Sequence, residues 1–210
     1  MNKISTREAY GQTLVAIGSD ERVVVLDADL KNCTMSLYFG DAYPERFFNC
    51  GIAEANMVCM GAGLATTGKI VFVNSFAMFM AGRCYEQIRN SVCYPNLNVK
   101  MVGTHAGISV GEDGATHQCI EDLGIMRVIP NMTVVCPSDA AETVEAVPAS
   151  YEYEGPVYLR LGRSAVEDVS ANFSEPFELG KARTLSYGND LTIISTGLMV
   201  QESVKAAKEL

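Results

Sequence analysis

Ile70-Val71-Phe72-Val73, a helix-like run from about Ala77 to Ser91, and Asn98-Val99-Lys100-Met101-Val102 together decide the fold. Two apolar runs of strand length enclose a helical one. Strands that are almost continuously apolar, rather than alternating, are buried on both faces, as in a parallel sheet covered by helices. The same rhythm extends in both directions. Upstream, Ser5-Thr6-Arg7-Glu8 is a capping box opening a helix that carries Leu14, Val15 and Ile17 and stops near Gly18. Val23-Val24-Val25-Leu26 then forms a buried strand ending at the carboxylates of Asp27 and Asp29. Phe47 to Asn49 is a second strand, followed by a helix through Glu54, Met57, Gly61, Gly63 and Leu64 whose small residues permit close packing. Downstream, Met132 to Val135 and Val157 to Leu159 complete the series. The expected fold is α/β, a doubly wound, mostly parallel sheet with helices on both faces. Functional residues in such a fold gather at the carboxyl ends of the strands.

After Gly162-Arg163 the texture changes. Residues 165 to 178 are polar and include Asn172, Ser174 and Pro176, which reads as a linker. Gly188-Asn189-Asp190 then turns into an expected strand, Leu191-Thr192-Ile193-Ile194-Ser195, and a helix from Val200 to Leu210. The expected organisation is a first domain over 1–165, a linker over 166–186, and the first strand and helix of a second α/β domain over 187–210. A lone β-α pair cannot bury its own face, so the second domain is expected to be truncated here or its remainder absent.

Composition narrows the function classes. Sixteen Lys and Arg against 25 Asp and Glu give a formal charge of −9, and no basic stripe with interleaved aromatics is present. A nucleic-acid partner is therefore not expected. No apolar stretch approaches the ~20 residues of a membrane span and no secretory leader opens the chain, so a soluble, cytoplasmic protein is expected. The seven cysteines at 33, 50, 59, 84, 93, 119 and 136 include no C-x-x-C pair and read as reduced, mostly buried thiols. Cys119, two residues past His117, invites a nucleophile or metal-ligand reading. A zinc site would need a further clustered Cys or His, so a core thiol is preferred and no metal ligands are assigned.

The only two histidines bracket one window, His105-Ala-Gly-Ile-Ser-Val-Gly-Glu-Asp-Gly-Ala-Thr-His117. It directly follows a strand, is glycine-rich, and holds Glu112, Asp113 and Thr116 between two side chains that titrate near neutrality. An active-site loop is preferred over a plain surface turn.

Together with this window, Gly51-Ile52-Ala53-Glu54 and Ser75-Phe76-Ala77-Met78-Phe79 make residues 1 to about 165 resemble the pyrimidine-binding domain of transketolase, with the tail resembling the start of that family's C-terminal domain. The Gly111-Glu112-Asp113-Gly114-Ala115-Thr116-His117-Gln118 string is the specific part of the match. The resemblance implies thiamine diphosphate as cofactor. Glu54 matches the glutamate that bonds the aminopyrimidine ring nitrogen, and its apolar flanks suggest burial that would favour the protonated form. Phe76 and Phe79 match the aromatics that sandwich that ring, though their spacing also suits core packing. Where transketolases often place a tyrosine three residues further on, this chain has Gly82, and Tyr85 could substitute only on a rotated helix. Asp29 matches an acidic position near the cofactor, and a phosphate-contacting serine falls at about Cys33. His105 and His117 match substrate-channel histidines with catalytic roles. Asp113 matches the residue that recognises the donor's C2 hydroxyl, and Arg163 the arginine that grips a substrate phosphate, with Arg160 as a nearby rival.

Enzymes of this kind hold magnesium and the diphosphate on a G-D-G…N segment of a separate domain, and this chain has none. Beginning at Met1, it resembles the C-terminal subunit of a split transketolase, expected to be inert alone. Its implied partners are an N-terminal subunit carrying diphosphate and Mg2+, a second copy of itself, and sugar phosphate substrates. The implied reaction transfers a two-carbon ketol unit from a ketose phosphate to an aldose phosphate. The competing resemblances are 1-deoxyxylulose-5-phosphate synthase, which usually has arginine where His105 stands, and the beta subunit of 2-oxo acid dehydrogenases, which generally lacks the full histidine loop. A non-catalytic regulatory subunit is the alternative of another class.

Overall fold

The computed structural model describes residues 3–172 and 175–210; Met1 and the linker residue Ser174 lie outside them. Six parallel strands form the main sheet in the order β3-β2-β4-β5-β7-β6, with β2 Val23–Asp27, β3 Phe47–Asn49, β4 Ile70–Phe76, β5 Val99–Thr104, β6 Thr133–Val135 and β7 Val157–Arg160. A separate antiparallel pair joins β1 Lys3–Ser5 to β8 Ala165–Glu167.

Alternate residues of each central strand enter two different cores. Val24, Leu26, Val71 and Val73 pack with Met57, Met80, Ile88 and Met126 on one face. Val23, Val25, Ile70 and Phe72 pack with Tyr10, Leu14, Phe39 and Val147 on the other. Both faces are thus apolar, which is why the strands read as continuous hydrophobic runs. The helices are α1 Thr6–Ile17, α2 Lys31–Thr34, α3 Leu37–Ala42, α4 Glu54–Ala65, α5 Tyr85–Gln87, α6 Asp122–Arg127, α7 Ala140–Glu152 and α8 Met199–Glu209. The capping box holds, with Ser5 accepting from the Glu8 N–H at the start of α1. Close packing of α4 occurs at Gly61, where an added Cβ would stand 2.8 Å from Val73 Cγ1. Gly63 faces outward.

The helix expected over 77–91 is present but underwound. π-helical turns at Phe79–Arg83 and Ile88–Cys93 flank α5. Lys100, in the middle of β5, is fully buried and donates to the carbonyls of Tyr153 (2.6 Å) and Gly155 (2.7 Å), tying the central sheet to the turn after α7. Burial pushes its ammonium down to about 7.

The tail differs from expectation in two places. Ala165–Glu167, at the start of the segment read as polar linker, form β8 with Val166 buried, and Asp139 then accepts from the Val169 and Ser170 N–H groups. The expected strand at Leu191–Ser195 does not form: neither sheet includes it, and Ile194 is 90% exposed. A β pattern needs a neighbouring strand for its backbone groups, and none is adjacent here. The expected C-terminal helix is present as α8. No helix among the described residues is long and apolar enough to cross a membrane.

Candidate functional site

Four strand ends converge at the carboxyl edge of the sheet. β4 ends at Phe76, β5 runs into His105, β7 leads through Arg160 to Arg163, and β2 ends at Asp27 with Asp29 beyond it. The chain order reverses at β2, with β3 on one side and β4 on the other, which is where open α/β sheets form a ligand crevice.

The centre of the site is a stack. His105 lies on Phe76 with ring centroids 3.9 Å apart, and Phe76 lies roughly parallel to Phe79 at 5.7 Å. His117 meets Phe79 edge-on at 5.2 Å. The Arg83 guanidinium covers Phe79 at 4.0 Å and donates from Nη1 to Glu54 Oε1 at 2.7 Å. One continuous arrangement therefore runs from both histidines through the two phenylalanines to Glu54, although these residues span 63 positions of sequence from Glu54 to His117.

Glu54 opens α4 and is buried, but its setting is not apolar, because Arg83 supplies a charged partner. Phe76 ends a strand rather than lying on a helix, so its spacing from Phe79 is not helical packing. Arg83 was not found from the sequence; its one signal is the i, i+4 spacing from Phe79. Arg83, not Tyr85, occupies the face of Phe79, while Tyr85 packs against the core. The π turn at Phe79–Arg83 alters the register that ordinary helical counting assumes.

His105 is 2% exposed and adopts a left-handed backbone (φ 58°), an uncommon conformation outside glycine. Burial, with the charges of Arg7 and Arg163, pushes its imidazole down to about 4, against the opposing charge of Asp113. It is neutral at physiological pH and pairs through Nδ1 with Thr104 Oγ1 at 3.0 Å. His117 pairs likewise with Thr116 Oγ1 at 2.9 Å. Asp113 is exposed on the same loop. Arg163 lies against the loop backbone, with Nη1 2.5 Å from where a Cβ at Gly111 would stand, and it faces Glu112 at 3.7 Å. Arg7, on α1, adds a second cation and donates to the Cys33 carbonyl at 2.7 Å. No local sequence pattern pointed to Arg7.

The remaining candidates divide. Asp29 is exposed and accepts from Asn49 Nδ2 at 2.8 Å. Its neighbour Asp27 is fully buried and braces the following turn, accepting from the Leu30 N–H and from the hydroxyls of Thr34 and Ser36. Arg160 is engaged by Asp122, leaving Arg163 as the arginine at the loop. The Cys119 thiol is buried in the core and pushed up to about 12 by that burial, which removes the thiolate a nucleophile needs. Among the described residues, no group of three or more His, Cys, Asp or Glu side chains could hold a metal ion.

The residues fit a flat heterocycle. A planar cation already lies on Phe79 while bonding the buried Glu54 carboxylate, the two contacts an aminopyrimidine ring would make.

A family model for the transketolase pyrimidine-binding domain matches residues 2–168. A Methanocaldococcus jannaschii protein named as a transketolase C-terminal section is 54% identical over 97% of this chain, which spans 65% of that protein. The 6-deoxy-6-sulfo-D-fructose transketolase subunit of Clostridium sp. (strain MSTE9) is 44% identical over 97% of this chain, which spans 63% of it. Among solved structures, a split gene transketolase described as an inactive beta4 tetramer has a TM-score of 0.89 at 52% identity, covering 99% of this chain and 67% of that one. Transketolase from Leishmania mexicana has a TM-score of 0.74 at 28% identity, covering 81% and 27%.

Proposed function

The chain belongs to the transketolase pyrimidine-binding domain family, and from that premise we propose that it supplies the pyrimidine half of the active site of a split transketolase. The reaction is transfer of a two-carbon ketol unit from a ketose phosphate to an aldose phosphate. The observation that carries this reading is the stack joining Glu54 to His105 and His117.

In this reading Glu54, Phe76 and Phe79 hold the aminopyrimidine of thiamine diphosphate, with Asp29 near its rim. When bound, the cofactor supplies a carbon nucleophile that the protein cannot provide. Neutral His105 offers its free ring nitrogen as a hydrogen-bond partner, and His117 can exchange a proton with substrate oxygen. Asp113 accepts from a donor hydroxyl, and Arg163, supported by the charge of Arg7, holds the terminal anion with its planar fork. The relatives' names include a sulfo-fructose and, at 39% identity, an apulose-4-phosphate transketolase subunit of Phocaeicola vulgatus, so both sulfonate and phosphate termini belong in the assay.

The diphosphate and Mg2+ belong, in this reading, to an N-terminal partner subunit. Residues 1–165 form the pyrimidine domain, 166–186 lead out of it, and 187–210 begin a further domain. The solved relative is described as an inactive beta4 tetramer, which supports self-association and the need for a second polypeptide.

The test is turnover of a ketose phosphate by this chain alone and with its N-terminal partner, thiamine diphosphate and Mg2+. Activity only in the mixture is expected. Glu54→Gln should then lower turnover about 10²-fold or more while leaving assembly intact; near-normal turnover by that variant overturns the assignment.

A further inference from the structure

The two histidines stand on either side of a backbone neck, His105 before it, directly after β5, and His117 inside the loop that it closes. Gly107 and Cys119 exchange backbone hydrogen bonds of 2.7 and 3.1 Å, so residues 108–118 leave and rejoin the fold at one point. The Cys119 carbonyl also accepts a long bond from Arg160 Nη2 at 3.4 Å, and that nitrogen lies 3.7 Å from the Cβ position of Gly107. Arg160 therefore bonds one side of the neck and lies beside the other. Its direction is fixed from behind: Nε donates to Asp122 Oδ2 at 2.7 Å, and the Tyr158 hydroxyl donates to the same oxygen at 2.9 Å. Asp122 is fully buried, and its Oδ1 has no protein partner among the described residues. A buried carboxylate with one unsatisfied oxygen is costly unless its charge is paired, so the pairing with Arg160 holds the guanidinium in place.

Beyond the neck the loop makes few polar side-chain contacts. Gln118 Nε2 reaches the Ile108 carbonyl at 3.3 Å, and Arg163 faces Glu112 at 3.7 Å. Val110 is the one fully buried side chain past the neck, so the neck and Val110 together set the loop's position.

We propose that Arg160, aimed by Asp122, is a positioning residue that locks the Gly107–Cys119 neck and so keeps His105 on Phe76 and His117 against Phe79. The value of that placement for substrate rests on the transketolase reading; the lock itself does not.

The chain holds only two histidines, so imidazole NMR signals report on the two sides of this neck alone. Arg160→Lys keeps the charge but cannot serve Asp122 and the Cys119 carbonyl together. In the full chain it is expected to speed amide exchange at Gly107 and Cys119 by about tenfold or more. Among Arg7, Arg163, Asp113 and His117, the His105 titration should also rise from about 4 toward the usual 6.5 as water reaches the ring. Tyr158→Phe removes the other donor to Asp122 but keeps the Arg160 pair, and should change both readouts much less than Arg160→Lys. Unchanged exchange and titration in Arg160→Lys, or equal changes in Tyr158→Phe, overturn the proposal. If Arg160→Lys does not fold by circular dichroism, Asp122→Asn takes its place with the same expectations. Absence of ketose phosphate turnover by the wild-type assembly would reject the functional reading and leave these measurements standing.

Discussion

His105 would be awkward to protonate. It is packed on Phe76 and flanked by Arg7 and Arg163, so a proton there meets both lost hydration and like charge. Its folded value of about 4 lies below the ordinary 6.5, so the unfolded chain binds this proton first as pH falls. Its contribution to stability is full above pH 6.5, declines between 6.5 and 4, and levels off below, a loss of roughly 3 kcal/mol at about 1.36 kcal/mol per unit. Denaturant midpoints for the wild type and His105→Asn should converge across that window; parallel curves would show that His105 is not the titrating group. Arg83 gives a second expectation. It holds both contacts that a cofactor ring stacked on Phe79 would need, so Arg83→Gln should tighten thiamine diphosphate binding by the assembled enzyme several-fold in calorimetry. Weaker binding would identify Arg83 as a cofactor contact. At this scale the sequence disclosed the histidines because polar residues in a glycine-rich segment after a strand have few other uses. It did not disclose Arg7 or Arg83, whose roles depend on which distant backbone each one reaches.

Helix α4 offers a matched pair of glycines. At Gly61 an added methyl meets Val73, a fully buried strand residue of the core, whereas at Gly63 it meets nothing within 4 Å. Gly61→Ala is expected to destabilise by about 1–3 kcal/mol through overpacking. Gly63→Ala should stabilise by about 0.5–1 kcal/mol through helix propensity. Urea midpoints moving in opposite directions would establish that only one of the two glycines seats the helix; a shared direction would refute it. Periodicity marked both as small helical residues but could not say which one faces β4. The other elements follow the same division. Strand and helix types were legible wherever apolar spacing ran for a full element. The π turns were not, because each shifts the apolar register over a single turn, too short a stretch for periodicity to mark. The strand expected at Leu191–Ser195 had a suitable composition but lacked a neighbour to pair with, and neighbours are a property of topology.

For the whole molecule, the two cores follow from strands that are mostly apolar, since such strands require helices on both sides. Lys100 was visible in the expected strand β5, but not its complete burial there. Lys100 has an ordinary value of 10.5 and a folded value of about 7, so between these limits the unfolded chain binds more protons than the native one. Stability should therefore rise as pH increases from about 7 to 10.5, and Lys100→Met should flatten that slope. Folding at pH 8 thus ejects a proton into the solvent. Its calorimetric heat will contain the ionisation heat of whichever buffer captures that proton. Unfolding enthalpies measured in Tris and in phosphate should differ for the wild type and draw together for Lys100→Met, so this one side chain makes the measured heat of folding depend on the buffer.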